Sequence, residues 1–245
     1  EILKKGGNAV DAAVSMAYAL SAIEPEKSGL GGGGYMLVYK AEEKSVTVID
    51  YIETAPKNST PQMWLNIDGQ VAENEFGPLS KYSGMAVAVP GMVSGLDFAF
   101  ENFGSQNLTR KDILKSAIEL AGENKDLSEA FDLIAENGKN GFYTGKIAEA
   151  IVSSAKKLDG IITLEDLTSY NPDVYRADTS TYNDFNIYSN SVSAIEVLNV
   201  LDNFDMKDLD VNSSEYVHLL SEAFKIAAAD RMAELDVTDK DYCIT

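Results

Sequence analysis

The sequence predicts a mixed α/β fold, of α+β type, and three observations point there. Residues 8–23 are a run of small apolar residues with a single charge, Asp11, which suits a helix with little solvent around it. Two β-branched and aromatic runs, YMLVYK and SVTVIDY, are joined by Ala41-Glu42-Glu43-Lys44 and read as a hairpin. Further on, apolar residues recur at helical spacing in several segments of ordinary helix length.

In order along the chain, Glu1-Ile-Leu-Lys-Lys-Gly-Gly7 reads as the last turn of a helix closed by a glycine cap, so residues are expected before Glu1. The helix at 8–23 is expected to lie against a sheet, with Asp11 capping or pairing locally. A glycine run, Gly31 to Gly34, separates it from the hairpin. Such a run costs backbone entropy, and it makes sense where φ is positive or where a Cβ has no room. Residues 57–88 read as loop, with a turn at Asp68-Gly69. Pro90-Gly91 opens a helix through Phe103, with Val93, Leu96, Ala99, Phe100 and Phe103 in register, and Gly104 ends it. Thr109 is the expected N-cap of a helix over 110–123, whose apolar face is Ile113, Leu114, Ala117, Ile118 and Ala121.

Helices are predicted at 126–137 and 145–158, the second stopped by Asp159-Gly160, and a short one begins at Thr163. Residues 173–189 read as strands turned at Asn183-Asp184, and 193–204 and 213–235 as helices. Tyr216 is expected in the core, and Tyr35, Tyr39 and Tyr51 in hairpin packing. No internal repeat or low-complexity tract is evident, and the 245 residues are expected to form a single domain with a substantial core.

Composition narrows the function classes. The apolar fraction is 45%, ordinary for a globular chain, and the formal net charge is −19. Phosphate backbones and anionic lipid surfaces would repel such a chain. The single cysteine, Cys243, excludes an internal disulfide framework. No apolar run reaches the length of a membrane span, and no signal peptide is visible. Gly29 to Gly34 formally satisfies G-x-G-x-x-G, but a dinucleotide site needs the strand before the glycines and the helix after them. Here that order is reversed, and no P-loop motif is present. No cofactor is implied. His218, the only histidine, lies four residues before Glu222, a helical pairing distance, and lacks the company of a zinc site.

A set of segments carries a family resemblance: Gly6-Gly-Asn-Ala-Val-Asp-Ala-Ala13, Gly31-Gly-Gly-Gly-Tyr-Met36 and Asp50-Tyr-Ile-Glu-Thr-Ala-Pro56, then Ala88-Val-Pro-Gly-Met-Val-Ser-Gly95 and Ala117-Ile-Glu-Leu-Ala121. These are followed by Ile134-Ala-Glu-Asn-Gly138, Gly141-Phe-Tyr-Thr-Gly145, Ile162-Thr-Leu-Glu-Asp-Leu167 with Tyr170, Val197 to Met206, and Ala228-Ala-Asp-Arg231. In this order they resemble the large subunit of γ-glutamyltransferases (γ-glutamyltranspeptidases), N-terminal-nucleophile hydrolases whose group includes capsule depolymerases and cephalosporin acylases. The resemblance implies a four-layer αββα sandwich, of which this chain would supply one part of each layer. It also implies an extracellular, periplasmic or cell-surface setting. Relative to the family, stretches are missing after Ala121 and after Tyr188-Ser189; either this member is compact or mobile loops are lacking.

By the same resemblance, catalysis belongs to a small subunit cut from the same precursor. The nucleophile would be that subunit's N-terminal threonine, activated by its own α-amine. No catalytic residue is assigned to this chain, and Thr245 is not read as the nucleophile. The substrate would be a γ-glutamyl or related small molecule such as glutathione. This chain should bring an arginine from an Asp-Phe/Tyr-Arg-Glu motif to hold the substrate's α-carboxylate in a bidentate clamp. Here the motif is Asp50-Tyr51-Ile52-Glu53, with isoleucine in the arginine's place.

The candidate substrate-binding residues are therefore Ile52 and Glu53. Removing the partner of a desolvated carboxylate costs about 3–5 kcal/mol, or roughly two to four decades in affinity. Three explanations stay open: altered acyl specificity, a non-catalytic paralogue with a structural or binding role, or an arginine supplied by the other subunit. Asp50 and Glu53 could be a general acid–base pair, but at that spacing they more commonly cap a turn or pair with lysine.

Overall fold

The computed structural model describes the backbone of residues 1–237 and side chains to residue 233; Cys243 and Thr245 lie outside the described residues. In chain order the elements are α1 (Ala9–Ile23), α2 (Pro25–Ser28), β1 (Tyr35–Lys40), β2 (Ser45–Asp50), β3 (Glu73–Asn74), β4 (Gly77–Pro78), α3 (Leu79–Tyr82), α4 (Met92–Phe103), α5 (Arg110–Ala121) and α6 (Lys125–Asn137). Then come α7 (Asn140–Tyr143), α8 (Gly145–Lys156), α9 (Leu164–Ser169), β5 (Asp173–Arg176), β6 (Asp178–Tyr182), β7 (Phe185–Ser189), α10 (Val192–Leu201) and α11 (Ser214–Val237). The described residues divide into two compact units, one of residues 1–34 and 49–173, the other of 35–48 and the described residues from 174 onward.

In the first unit α1 starts where the sequence places it. Asn8 and Asp11 form a reciprocal capping box, each side chain accepting the other's backbone N–H at 3.0 and 2.8 Å. Asp11 also accepts Ser105 N–H at 3.0 Å, so this buried carboxylate ties the start of α1 to the loop after α4. Helix α1 packs on α5 and α4. Val14 and Tyr18 are buried on that side with Leu96, Ile113, Leu114, Phe131 and Ile134, while Met16, Leu20 and Ile23 are exposed. Apolar composition on every side, without a stripe, could not say which side finds a partner.

Thr109 caps α5 through a capping box with Asp112, and Ile113, Leu114, Ala117 and Ala121 turn inward as predicted. The segment 57–88 has more structure than a plain loop. It contains the small β3–β4 pair, the short α3 and a 3-10 turn at Gly84–Ala86. Gly69, in the expected turn, has φ +73°.

In the second unit, β1 and most of β2 join β5 in a three-stranded sheet of order β1-β2-β5. The β6–β7 hairpin turns on Asn183 and Asp184, both left-handed at φ 46° and 67°. Helix α10 packs on α11, burying Val197, Leu201, Ala223 and Ala227, with Tyr182, Leu219 and Leu220 around them. Tyr216 is half-buried on α11.

Candidate functional site

The candidate site is the corner after β2, residues 50–56, and three stretches of backbone converge on it. The glycine run pairs with it: Tyr51 N–H donates to Gly34 O at 2.9 Å, and Gly34 N–H to Tyr51 O at 3.3 Å. The start of α4 closes on the same glycines, with Gly91 and Met92 N–H donating to Gly32 O at 3.1 and 2.9 Å. Thr54 and Val89 exchange both of their backbone hydrogen bonds, at 3.2 and 2.8 Å.

No glycine between Gly29 and Gly34 has a positive φ, so it is room that calls for glycine at the tight positions of the run. A Cβ on Gly33 would lie 2.4 Å from Tyr51 O, and one on Gly29 would lie 2.1 Å from Pro25 O. The Tyr51 ring is seated among glycines as well. A Cβ on Gly95, one turn into α4, would meet the ring at 2.2 Å, and one on Gly34 at 3.3 Å. The Tyr51 ring therefore packs into the corner.

Two tyrosines that sequence reasoning gave no role hold the corner from the other side. Tyr170 Oη donates to Ile52 O at 2.7 Å, and its ring stacks on Tyr143 with centroids 5.9 Å apart and planes 6° from parallel. Tyr143 Oη donates to Pro90 O at 2.7 Å and accepts Ser94 N–H at 3.3 Å. Burial pushes the Tyr51 and Tyr143 hydroxyls above the ordinary tyrosine range, and Tyr170 is raised by burial and then by Asp50, Asp173 and Glu53. All three stay protonated near pH 7, and Tyr143 and Tyr170 act as struts through their hydroxyl hydrogen bonds. Both tyrosines stand in segments that carry the family resemblance, but their role had no signal beyond Gly91 and Gly95 one turn apart, which leaves a groove for something large.

Asp50 Oδ1 accepts Ile52 N–H at 3.1 Å, the turn-capping role expected of it. The Glu53 carboxylate lies along the glycine run, with Oε2 2.9 Å from the point a Gly33 Cβ would occupy. Ile52 is half-buried. Of the cations near it in sequence, Lys57 pairs with Glu165 at 2.7 Å. Arg110 donates Nε to the buried Asp97 at 2.6 Å and also pairs with Glu101. Arg176 lines a shallow surface hollow with Glu43, Ser45, Val46 and Thr47 at the turn end of the hairpin, and Arg231 is exposed on α11.

His218 is exposed on α11, where its charge helps hold the Glu222 carboxylate below its usual range, after the larger effect of the Lys225 hydrogen bond. Among the described residues, no group of three or more His, Cys, Asp or Glu could hold a metal ion. No described helix is long and apolar enough to cross a membrane.

The model of the gamma-glutamyltranspeptidase family matches the chain in two segments, residues 1–123 and 122–245. The chain is similar to the glutathione hydrolase proenzyme of Escherichia coli, 32% identical over 98% of this chain and 49% of that protein. It is similar also to the acylase ACY 1 proenzyme of a Pseudomonas species, 28% identical over 94% of this chain and 50% of that protein. It spans about half the length of these relatives. Among solved structures it resembles the gamma-glutamyltranspeptidase of Helicobacter pylori, with a TM-score of 0.86 and 29% identity over 94% of this chain and 78% of that one. That likeness makes the fold one of the N-terminal-nucleophile hydrolase type. With the family model matched from end to end, the chain belongs to the γ-glutamyltranspeptidase family.

Proposed function

We propose that this chain is the large-subunit part of an amide hydrolase or acyltransferase acting on γ-glutamyl-like donors, with altered acyl specificity at Ile52. The observation that carries this reading is the corner itself. Its glycines, its tyrosine struts and the Asp50 turn are all in place, while at position 52 isoleucine stands where the resemblance implies the clamping arginine. A corner kept in such detail around an altered residue supports a changed pocket over a lost one. The relatives bear the names of a glutathione hydrolase and an acylase, so more than one kind of acyl substrate is named among them.

In this reading the nucleophile is an N-terminal threonine on a small subunit from the same precursor. A free α-amine titrates near pH 8, so at neutral pH enough of it is unprotonated to take the hydroxyl proton. The threonine oxygen forms an ester with the acyl carbon, the amide C–N bond breaks, and the leaving amine takes up the proton. Water or an acceptor amine then attacks the ester and restores the threonine.

The non-catalytic alternative draws on the same isoleucine. The deciding measurement is release of p-nitroaniline from γ-glutamyl-p-nitroanilide by the full-length gene product and by its Ile52→Arg variant. Weak turnover in the wild type, raised at least about tenfold by arginine, is the expected outcome, since a clamped carboxylate is worth several kcal/mol. Strong wild-type turnover would overturn the reading of Ile52. An uncut precursor, silent in both forms, would favour a structural or binding role.

A further inference from the structure

We infer, on the reading that position 52 faces the acyl group, that the corner takes donors lacking the α-carboxylate and carrying an amine. The preferred acyl group would then be of the 4-aminobutanoyl type, a γ-glutamyl group without its carboxylate.

The clamp expected here is a cation. The described cations of this unit that could serve, Lys57 and Arg110, are each paired with carboxylates, while several backbone and hydroxyl donors of the corner are engaged as well. Ile52 N–H is held by Asp50, Tyr51 N–H by Gly34 O, and Thr54 N–H by Val89 O. The Tyr170 hydroxyl, which stays protonated, gives its only proton to Ile52 O. Lys57 uses its ammonium on Glu165 and its backbone N–H on Asp166. Arg110, the one arginine of the first compact unit, is bound to Asp97 and Glu101. An incoming carboxylate would lose its water and gain little in return.

The acceptors show the opposite imbalance. Glu53 is half-buried along the glycine run, and no described donor reaches its carboxylate. An ammonium on the acyl chain would supply charge and donors where both are lacking. With isoleucine where the resemblance implies an arginine, the motif offers a carboxylate no cation, and Glu53 stands as an acceptor open to one.

The test uses the full-length gene product and four p-nitroanilides with acyl chains of matched length: γ-glutamyl (amine and carboxylate), glutaryl (carboxylate only), 4-aminobutanoyl (amine only) and butanoyl (neither). The expected result is a kcat/KM for 4-aminobutanoyl at least about tenfold above those for γ-glutamyl and glutaryl, the size of one charge-assisted contact. Glu53→Gln should lower the 4-aminobutanoyl-to-butanoyl ratio by about tenfold. Preference for γ-glutamyl or glutaryl would overturn the inference and leave the acyltransferase reading standing, with the clamp supplied elsewhere. Equal rates on all four would also overturn it, because position 52 would then not sense the acyl group. No turnover of any donor, with an uncut precursor, would overturn the functional reading and this inference together.

Discussion

Gly31 and Gly33 are two residues apart in one run and do opposite things. A Cβ on Gly31 would meet nothing within 4 Å, and its φ is not positive, whereas a Cβ on Gly33 would lie 2.4 Å from Tyr51 O and 2.9 Å from Glu53 N. Backbone cannot rotate away as a side chain can. Gly33→Ala should therefore push the run off the corner and destabilise by about 1–3 kcal/mol, the usual cost of overpacking. Gly31→Ala should be neutral or stabilising by up to about 1 kcal/mol, because it removes freedom from the unfolded chain only. Paired denaturation curves check this, and equal losses at both sites would show that the run is not a matter of room. The sequence could show that glycine is needed here. It could not distinguish close approach from left-handed backbone, because the partner, Tyr51, arrives only once the hairpin has closed.

At the scale of elements, α9 is fixed by a carboxylate at its third position. Asp166 closes a capping box with Thr163, accepting its N–H at 2.8 Å and its hydroxyl at 2.7 Å. It also accepts Lys57 N–H at 2.9 Å, from a residue 109 positions earlier. Burial by itself would push this carboxyl up, but the hydrogen bonds from Lys57 and Thr163 outweigh it and hold it below the ordinary aspartate range. A carboxyl depressed in the folded state contributes stability above its unfolded pKa, about 3.9, and loses it as pH falls through the folded value. Asp166→Ala should thus cost about 1–3 kcal/mol at pH 7, and the gap from wild type should narrow as pH falls below about 4. A gap that held constant to pH 2.5 would mean that the carboxylate's charge is not what matters. The capping box is local and readable, as at Thr109, because its residues stand three apart. The Lys57 bond was not, and neither was the entry of β5 beside β2, since both join distant stretches of chain. The helical partners of α1 were not readable for a third reason, since uniform apolarity carries no direction.

For the molecule as a whole, the same contrast between local and distant information governs the site. Ile52, Glu53 and the Asp50 turn could be picked out from one contiguous motif. The part that Tyr143, Tyr170 and Pro90 play there could not be read, although they stand in recognised segments, because what makes them part of the corner is distance in space. Net charge is the whole-molecule property that is fully legible, and it sets the response to salt. Acidic residues outnumber basic ones by 39 to 20. The described ion pairs are mostly exposed, such as Lys57–Glu165, Lys146–Glu129 and Lys225–Glu222, and exposed pairs contribute about 0–1 kcal/mol each. Salt weakens those few attractions, but it also screens many unpaired repulsions. Raising ionic strength from about 0.01 to 0.15 M shortens the screening length from about 30 to 8 Å, below the spacing of most surface charges. Repulsion should lose more than attraction, so the thermal midpoint of this chain should rise over that interval, equally with sodium and with choline chloride. A rise with sodium alone would indicate a bound cation, and a fall in both salts would mean that the ion pairs outweigh the net charge.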